Sequence, residues 1–474
     1  MTKLVEADIC VIGAGSAGLS VAAGASQMGA RVVLVEKHLM GGDCLNYGCV
    51  PSKALLAAAH AAAGQRDSGA FGIAPAPGLA DPAKVGDHVR QVIDAIAPLD
   101  SVERFEGLGV TVIQAAARFT GEREIEAGEY RVRAKRFVIA TGSRPVAPPL
   151  EGLSETPYFT NETIFSHREK IDRLVIIGGG PIGLEMAQAH RRLGARVSVL
   201  DMGPILPKDD PDAAEVVRQS LVRDGVELHE RVKVLRTRKN GAGVAVVFEE
   251  NGTRRRILAS HLLVAAGRAA NIDDLDLDKA GVKHDRAIEV DARLRTSNRK
   301  IFAIGDVTGG YQFTHVAGYH AGIAIRNILF RLPAKIDYRA LPWVTYTDPE
   351  LAQVGLQEAA AREQHGDGIR VLKWEFAEND RAQAERATEG FVKAVVTKRG
   401  VILGATIVGR GAGELIQPWI LAIQNRLKIG ALATWIAPYP TFGEASKRAA
   451  GSFYTDSLFG ERTRKIVRFL LRFA

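Results

Sequence analysis

Two cysteines, Cys44 and Cys49, lie close together in a glycine-rich stretch that is followed by a helix-forming run of alanine and leucine. Their C-x4-C spacing is short enough for a local disulfide, and the 474-residue chain has only three cysteines. A thiol near a helix N-terminus has a lowered pKa because the helix dipole stabilises the thiolate. The pattern therefore predicts a redox-active pair. The third cysteine, Cys10, lies among apolar residues and is predicted to be a buried packing residue.

A glycine-rich pattern occurs twice, at a constant offset of 165 residues. The glycines are Gly13, Gly15 and Gly18 in the first copy, and Gly178, Gly180 and Gly183 in the second. Each copy reads as a strand, a glycine turn, a helix and a second strand that ends in an acid, Glu36 or Asp201. This order is the fingerprint of a dinucleotide-binding βαβ unit, in which the glycines permit the tight turn, the approach of the pyrophosphate and helix packing. Two copies predict two dinucleotides, and the copy that leads to the cysteines should hold the redox cofactor.

The acid of the second copy indicates which nicotinamide cofactor the chain uses. Asp201 can accept a hydrogen bond from a ribose 2′-hydroxyl, and the next residues, Met202 and Gly203, offer no arginine for a 2′-phosphate. The pattern favours NAD(H). NADP(H) stays open, because Lys208 and the nearby loops could supply the missing cation.

Composition and charge exclude several classes of protein. Three cysteines do not form a secreted disulfide framework, and no uncharged run of about 20 apolar residues is present. The net charge is +8, but lysine and arginine are spread along the chain and no nucleic-acid-binding motif occurs. The N-terminal residues do not resemble a signal peptide. We therefore predict a cytoplasmic protein that binds no nucleic acid, and no metal site.

The chain contains three more strands with glycine turns, and its pattern changes beyond residue 340. Three more apolar strands end in glycine turns, at Thr141-Gly142, Gly267-Arg268 and Gly305-Asp306. Beyond residue 340, strands at 391–397 and 401–408 and a helix at 414–427 occur without nucleotide-binding glycines. This region is predicted to be a separate α+β domain.

The segment from Gly41 to Lys53 closely resembles the redox-disulfide motif of the pyridine nucleotide-disulfide oxidoreductases, a family that includes dihydrolipoyl dehydrogenase, glutathione reductase and mercuric reductase. The resemblance extends over about residues 5 to 450. It implies a homodimer with an α/β fold, made of two Rossmann-like dinucleotide-binding domains, for FAD and NAD(P), and a C-terminal α+β dimerisation domain. The implied domains are FAD-binding at 1–149 and 272–340, NAD(P)-binding at 150–271, dimerisation at 341–450, and a C-terminal extension at 451–474.

The resemblance also implies roles for individual residues. Residues matching FAD contacts are Gly13, Gly15, Gly18, Glu36, Thr141, Gly142, Gly305 and Asp306. Residues matching the NAD(P) region are Gly178, Gly180 and Gly183, with Gly267 and Arg268 on the return strand. Lys53 and Glu185 match an ion pair beside flavin and nicotinamide. Electrons would pass from the reduced nicotinamide through FAD to a Cys44–Cys49 disulfide, with Cys49 as the thiolate near the flavin and Cys44 as the thiol that meets the acceptor.

The chain departs from the family at one catalytic position. The family's histidine in His-Pro-Thr-x-x-Glu, supplied by the partner subunit as acid and base, is Tyr439 here, whereas the carboxylate is kept as Glu444. A phenol titrates near about 10 and a histidine near about 6.5, so Tyr439 is a poor base at neutral pH. His315 is a candidate replacement for proton transfer, although a packing or flavin-contacting role is the competing interpretation.

These features predict an enzyme that oxidises NAD(P)H and reduces a disulfide, a thiol adduct or a metal–thiol complex. Mercuric reductases resemble the chain in having tyrosine at that position, but they use a second pair of cysteines and this sequence has none after Cys49. Mercuric reductase-like and dihydrolipoyl dehydrogenase activities are therefore alternatives. A hypothesis of another class is a slow-turnover, redox-responsive binding protein at the membrane surface.

The last residues of the chain predict a basic amphipathic helix. Arg464, Lys465, Arg468 and Arg472 share one side of a helical wheel, and Ile466, Phe469, Leu470 and Phe473 share the other. Such a helix can lie on an anionic bilayer, here the inner membrane face, or pack its apolar side on the dimer. Both interpretations stay open.

Overall fold

The structure, a computed structural model, describes residues 2–75 and 80–473. These residues form two compact units. The first unit contains the residues up to 178 together with 189–202 and 232–336. The second contains residues 179–188 and 203–231 and the chain from 337 onwards.

Helices and strands follow one another along the chain in three groups. The first group is β1 (Lys3–Ile12), α1 (Ser16–Gln27), β2 (Val32–Glu36), α2 (Gly42–Asn46), α3 (Cys49–Asp67), α4 (Pro82–Ile96), α5 (Val102–Gly107), β3 (Val110–Gln114), β4 (Ala117–Gly121), β5 (Glu124–Ala127), β6 (Tyr130–Ile139), β7 (Ser143–Pro145) and α6 (Asn161–Ile164). The second is β8 (Arg173–Ile177), α7 (Pro181–Arg192), β9 (Arg196–Leu200), α8 (Pro211–Asp224), β10 (Val226–His229), β11 (Lys233–Asn240), β12 (Gly243–Glu250), β13 (Thr253–Ala259), β14 (His261–Val264), β15 (Arg268–Ala270), β16 (Ile301–Ala303) and α9 (Thr314–Ile328). The third is β17 (Pro342–Thr345), β18 (Glu350–Gly355), α10 (Glu358–His365), β19 (Ile369–Glu375), α11 (Asp380–Ala384), β20 (Phe391–Thr397), β21 (Ile402–Gly409), α12 (Ala412–Leu415), α13 (Gln417–Gln424), α14 (Gly430–Thr434), α15 (Glu444–Ser452), α16 (Thr455–Leu458) and α17 (Glu461–Leu470).

The largest sheet of the first unit has the strand order β3-β2-β1-β6-β5-β4, with β16 paired to β6. The pairs among β1, β2, β3, β6 and β16 are parallel, and β4 and β5 join as antiparallel strands. Alternate residues of β1 enter different cores: Ile9 and Val11 belong to one, Cys10 and Ile12 to the other. Burial on both faces explains the continuous apolar run of this strand. It also confirms Cys10 as a packing residue, and burial raises the pKa of its thiol.

The internal repeat predicted from the glycines is also present in the structure. Helices α1 and α7 begin and end at positions that differ by 165 residues, Ser16 and Pro181 at the start and Gln27 and Arg192 at the end. Strands β9, β8 and β14 are parallel neighbours, and the antiparallel strands β11, β12 and β13 share an apolar core with them. The α/β prediction with two dinucleotide-binding folds is confirmed.

The second unit contains an antiparallel five-stranded sheet in the order β17-β18-β21-β20-β19. Its core includes the fully buried Trp419 and Phe376. The predicted strand at 391–397 agrees with β20, and the second begins one residue later than predicted. The single helix predicted at 414–427 is wrong, because α12 ends at Leu415 and α13 begins at Gln417. Pro418 explains the break, since proline suits the first turn of a helix and cannot continue one.

The C-terminal tail forms α16 and α17, and no residue of α17 is buried. The apolar side chains of α17 are about half exposed, including Ile466 at 51% and Leu470 at 59%. Within residues 2–75 and 80–473, no helix combines the length and the apolar character needed to cross a bilayer.

A buried ion pair joins α8 and β20 within the second unit. Lys393 Nζ lies 2.8 Å from Asp210 Oδ1, and both side chains are almost fully buried, at 4% and 2% exposure. Lys393 also lies 2.6 Å from Asp212, which is exposed. Asp210 additionally caps α8 by accepting hydrogen bonds from the backbone at its start. Such a pair stabilises a fold only while both partners are present.

Replacing Lys393 with methionine should lower the free energy of unfolding by about 3–5 kcal/mol, because it leaves the buried carboxylate of Asp210 without its cation. The control is Arg223→Met, which removes one partner of the exposed pair with Glu389 and should cost no more than about 1 kcal/mol. Urea denaturation at pH 7, followed by circular dichroism, measures both. Equal losses in the two variants would contradict the importance of the buried pair.

Candidate active site

The two cysteines lie at the junction of two helices in the first unit. Cys44 is in the short helix α2, and Cys49 is the first residue of α3, which runs for 19 residues. The predicted position at a helix N-terminus is thus confirmed for Cys49. Gly41 precedes α2 at a φ of 86°, where a side chain would also collide with Leu45, so the turn into this helix requires glycine. Both thiols are free, so the structure is that of the reduced pair.

The two thiols have opposite tendencies to ionise. A hydrogen bond from the Cys44 thiol lowers the pKa of Cys49 to about 6, and the Thr314 hydroxyl and the charge of Lys53 act in the same direction against desolvation. The same hydrogen bond, together with burial, raises the pKa of Cys44. The two thiols therefore titrate as a pair, in which the hydrogen bond favours the proton on Cys44 and the negative charge on Cys49.

Thr314 is a contact of the cysteine pair that the sequence did not indicate. Its Oγ1 lies 3.3 Å from Cys49 Sγ, and it is the first residue of the 15-residue helix α9. Two helix N-termini therefore meet at Cys49, and both favour the thiolate. The sequence singled out the neighbouring His315, which is exposed and whose ring stacks on Phe313 at 5.2 Å.

A chain of polar contacts connects the cysteine motif to the loop at Asp306. Arg268 donates to Ser143 Oγ at 2.8 Å and forms an ion pair with Asp43 at 3.2 Å. Ser143 in turn donates to Asp306 at 2.6 Å, and Asn161 donates to the other oxygen of Asp43 at 3.1 Å. Burial raises the pKa of Asp306. Arg268 and Asp306 were predicted from the sequence, and Asp43 lies in the predicted cysteine motif without a role of its own. Nothing in the sequence indicated Ser143 or Asn161.

The first glycine turn has the shape of a phosphate cradle. A Cβ on Gly13 would collide with the carbonyl of Ala140, whereas one on Gly15 would meet no atom closer than 3.9 Å. The open side of Gly15 therefore leaves room for a group that approaches the backbone. Glu36 accepts a hydrogen bond from the Ala14 N–H at 2.7 Å, which places its carboxylate beside the turn.

The second glycine turn repeats this geometry. A Cβ on Gly178 would collide with the carbonyl of Ala265, and one on Gly180 would meet no atom within 4 Å. Gly183 is buried in the first turn of α7. Asp201 directly follows β9, as the fingerprint predicts.

Two other glycine turns are held by specific hydrogen bonds. Thr141 donates to the Asn271 carbonyl at 2.7 Å, and Gly142, next to it, has a positive φ of 70°. Gly305 donates its N–H to Nδ1 of the buried His320 at 3.1 Å. Burial lowers the pKa of His320 to about 4, so this ring is neutral and stays an acceptor. Nothing in the sequence indicated this role for His320.

The structure gives Lys53, Glu185 and Gly267 different contacts from one another. Lys53 is on α3 in the first unit, where its Nζ lies 3.4 Å from Ser52 Oγ. Glu185 is buried on α7 in the second unit and accepts the Tyr346 N–H at 3.0 Å, so the pairing with Lys53 stays a prediction. Gly267 adopts a φ of 145° next to Arg268.

Tyr439 and Glu444 belong to the second unit. The hydroxyl of Tyr439 donates to Asp380 at 2.9 Å, and Glu444 is the first residue of α15. In the part of the chain that the structure describes, no group of three or more histidine, cysteine or acidic side chains is arranged to hold a metal ion.

Replacing Thr314 with valine should raise the pKa of Cys49 from about 6 by about one unit, since it removes a hydrogen bond to the thiolate. Only the thiolate is alkylated, so the midpoint of the rate against pH should move upward and the rate at pH 6 should fall. Alkylation of the dithiothreitol-reduced protein by iodoacetamide, with peptide mapping of Cys49, measures this midpoint. Thr463→Val in the exposed α17 is the control, and an unchanged profile in Thr314→Val would exclude the contact.

Comparison with known proteins agrees with this geometry. The family described as pyridine nucleotide-disulphide oxidoreductase matches residues 7–321, and its dimerisation domain matches residues 341–450. A mercuric reductase of Staphylococcus aureus is 35% identical over 453 residues, covering 95% of this chain and 83% of that protein. A dihydrolipoyl dehydrogenase of Geobacillus stearothermophilus is 35% identical over 455 residues, covering 94% of this chain and 96% of that protein.

A solved structure has the same fold over most of its length. The Cu(II) complex of the HOCl-induced flavoprotein disulfide reductase RclA from Escherichia coli aligns with a TM-score of 0.83 at 27% identity, covering 92% of this chain and 98% of that one. The chain therefore belongs to the pyridine nucleotide-disulfide oxidoreductases, as an NAD(P)H-dependent flavin disulfide oxidoreductase with a dimerisation domain.

Proposed function

We propose that Cys44 and Cys49 are the redox pair of this enzyme, with Cys49 on the flavin side and Cys44 on the acceptor side. The observation that carries the proposal is the position of Cys49, which is the first residue of α3 and lies 3.3 Å from Thr314 Oγ1. The pKa is lowered for Cys49 and raised for Cys44, in agreement with this position. Cys49 accepts the proton of Cys44, and the Cys44 sulfur attacks one sulfur of an acceptor disulfide. The S–S bond of the acceptor breaks, a mixed disulfide forms on Cys44, and the first thiolate leaves and takes the proton from Cys49. Cys49 then attacks Cys44, which re-forms the Cys44–Cys49 disulfide and releases the second thiol.

The glycine turns support assigning FAD to the first copy of the fingerprint and NAD(P)H to the second. Open space beside Gly15 and Gly180 fits a pyrophosphate that approaches the backbone. FAD held there would supply a two-electron relay between the reduced nicotinamide and the Cys44–Cys49 disulfide. The residues assigned to FAD are Gly13, Gly15, Gly18, Glu36, Thr141, Gly142, Gly305 and Asp306, and those assigned to the nicotinamide cofactor are Gly178, Gly180, Gly183 and Asp201. The position of Asp201 favours NADH.

Three further residues have supporting roles in this proposal. Lys53 and Glu185 tune the electrostatics around the flavin and nicotinamide, and the charge of Lys53 already lowers the pKa of Cys49. His315 follows directly after Thr314, which contacts Cys49, so an exposed imidazole is available near the redox pair for proton transfer.

The acceptor class is a disulfide, a thiol adduct or a metal–thiol complex. The thiol chemistry of Cys44 suits all three, because each contains a sulfur that a thiolate can attack or exchange. The mercuric reductase of S. aureus and the RclA structure in complex with Cu(II) support including metal–thiol complexes. Tyr439 in place of a histidine makes oxidation of a dithiol, the dihydrolipoyl dehydrogenase direction, the weaker alternative.

The enzyme acts as a homodimer in this proposal, with Tyr439 and Glu444 facing the cysteine pair of the partner subunit. The dimerisation domain at 341–450 supports this arrangement. The domain limits proposed from the sequence, with FAD binding at 1–149 and 272–340 and NAD(P) binding at 150–271, are kept as part of the proposal.

Anaerobic NADH oxidation with a panel of acceptors tests the function. The panel contains lipoamide, glutathione disulfide, Hg(II) with excess thiol, Cu(II) and a quinone. Wild type should reduce at least one sulfur-based acceptor, and Cys44→Ser and Cys49→Ser should each lower that rate by on the order of 10³-fold or more, as loss of a covalent nucleophile does. Cys10→Ala is the matched control and should keep the rate, because Cys10 is buried in β1.

Two outcomes would argue against this function. Equal rates in wild type and Cys44→Ser would show that electrons leave the enzyme without the cysteine pair. Reduction of the protein by NADH without turnover of any acceptor would favour the redox-responsive binding protein instead.

A peripheral contact with an anionic membrane is a second part of the proposal. In α17 the apolar side chains are exposed and a basic face lies opposite to them, and Glu461 is the only acid of the helix. Each lysine or arginine near an anionic lipid surface contributes about 1 kcal/mol of attraction. The competing arrangement buries the same apolar face in the dimer.

Co-sedimentation with lipid vesicles separates these arrangements. The affinity of the wild type for vesicles that contain 30% phosphatidylglycerol should be about tenfold higher than its affinity for neutral phosphatidylcholine vesicles. The double variant Arg464→Glu/Arg468→Glu should lose this preference, whereas Arg362→Glu in α10 should keep it. If wild type stays in the supernatant with both kinds of vesicle, the membrane contact is excluded and the apolar face packs within the protein.

A further inference from the structure

The side chain of Tyr439 is fixed by a carboxylate that the sequence did not indicate. Tyr439 is 70% exposed, and its hydroxyl donates a hydrogen bond of 2.9 Å to Oδ2 of Asp380, the first residue of α11. A phenol that donates to a carboxylate keeps its proton, and only its lone pairs remain to interact with a ligand. The residue in the family's histidine position is thus neither a base nor a free donor.

Neighbouring contacts show that this arrangement is built into the fold. Asn379 is buried, caps α11 by accepting the Ala382 N–H at 2.9 Å, and donates to the Thr441 carbonyl at 3.0 Å. The segments that carry Asp380 and Tyr439 are therefore tied together at two consecutive positions. The hydrogen bond between the two side chains follows from this packing.

Two carboxylates act on the hydroxyl of Tyr439. The hydrogen bond to Asp380 and, more weakly, the charge of Glu444 raise the pKa of the phenol. The adjacent cation, Arg381, is already paired with Glu385, which also binds Arg410 at 2.8 Å. The cations of α15, Lys447 and Arg448, follow Glu444 by about one helical turn.

We propose that Asp380, together with Glu444, makes the acceptor entrance electronegative, so that the enzyme selects cationic or neutral acceptors over anionic ones. Asp380 is a specificity-determining residue in this proposal. The Tyr439 hydroxyl accepts a hydrogen bond from the substrate through its oxygen and does not donate a proton to it. The inference rests on the proposed function, in which the segment with Tyr439 faces Cys44 of the partner subunit. The inference specifies the charge of the acceptor, which the proposed function leaves open.

Charged methanethiosulfonate reagents test this inference without requiring turnover. In each case a protein thiolate attacks the sulfenyl sulfur, forms a mixed disulfide and releases methanesulfinate. The reagents are the trimethylammonioethyl derivative, the sulfonatoethyl derivative and the neutral methyl compound. Each is added to the dimer that has been reduced with one equivalent of NADH per subunit. Because Cys49 displaces the reagent's thiol from Cys44, the rate is measured as loss of the reduced Cys44–Cys49 pair by peptide mass analysis. Rates are divided by those of free 2-mercaptoethanol to remove the intrinsic reactivity of each reagent.

The wild-type ratio of cationic to anionic rates should exceed that of the free thiol, and Asp380→Asn should lower it by about three- to tenfold at low ionic strength. Glu444→Gln should lower it by a smaller factor, and 0.5 M salt should diminish both effects. Tyr439→Phe retains the carboxylates and should retain the ratio. Glu358→Gln, which removes an exposed carboxylate paired with Arg362, is the matched control and should also retain it.

Each result decides the inference. A wild-type ratio equal to that of the free thiol, or the same ratio in wild type and Asp380→Asn, overturns it. Failure of the proposed function has a different signature, in which wild type and Cys44→Ser oxidise NADH with an acceptor at equal rates. Equal reaction of the neutral reagent with wild type and Asp380→Asn shows that the variant is folded and that charge alone has changed.

Discussion

The ion pair between Arg268 and Asp43 is the contact on which the geometry of the redox site depends. Arg268 is only 13% exposed, and its guanidinium cannot lose its proton, so the surrounding protein must supply an anion and hydrogen-bond acceptors. It finds them in Asp43, directly before Cys44, and in Ser143, which in turn holds Asp306. One buried cation thereby sets the distance between the cysteine motif and the loop assigned to the flavin. This dependence explains why a short helix such as α2, which has little stability of its own, can hold the Cys44 thiol in place.

The sequence predicted those parts of the structure that depend on residues close together in the chain. The glycine fingerprint predicted both βαβ units, since a tight turn next to a crossing strand excludes any Cβ at Gly13 and Gly178. Likewise, the run of small and apolar residues after the cysteines predicted the helix that begins at Cys49. The prediction of a single helix at 414–427 was wrong because it followed the apolar pattern and did not take into account Pro418 at the break between α12 and α13.

Contacts between distant segments could not be predicted. Thr314, Ser143 and Asn161 are common polar residues, and nothing in their immediate neighbours shows that they will meet a thiol or a carboxylate. Their roles arise only when parallel strands bring their carboxyl ends to one edge of the sheet. The same holds for His320, whose spacing from Gly305 gives no sign that the ring will accept its N–H. The resemblance to a family supplied the residues that match the family's motifs, but not the residues that orient them.

Tyr439 in the position of the family's histidine affects two properties of the site. One is proton transfer at the cysteine pair, and the other is the charge that an acceptor meets. The cysteine pair has a proton acceptor of its own in this proposal, because the hydrogen bond from Cys44 favours the thiolate form of Cys49. The histidine could have contributed a positive charge as well, and Tyr439 with Asp380 leaves a negative one. The chain as a whole carries a net charge of +8, which on its own would attract anions. At physiological ionic strength, however, charges farther than about 8 Å are largely screened. An acceptor that has reached the site therefore responds to the nearby carboxylates rather than to the net charge of the protein.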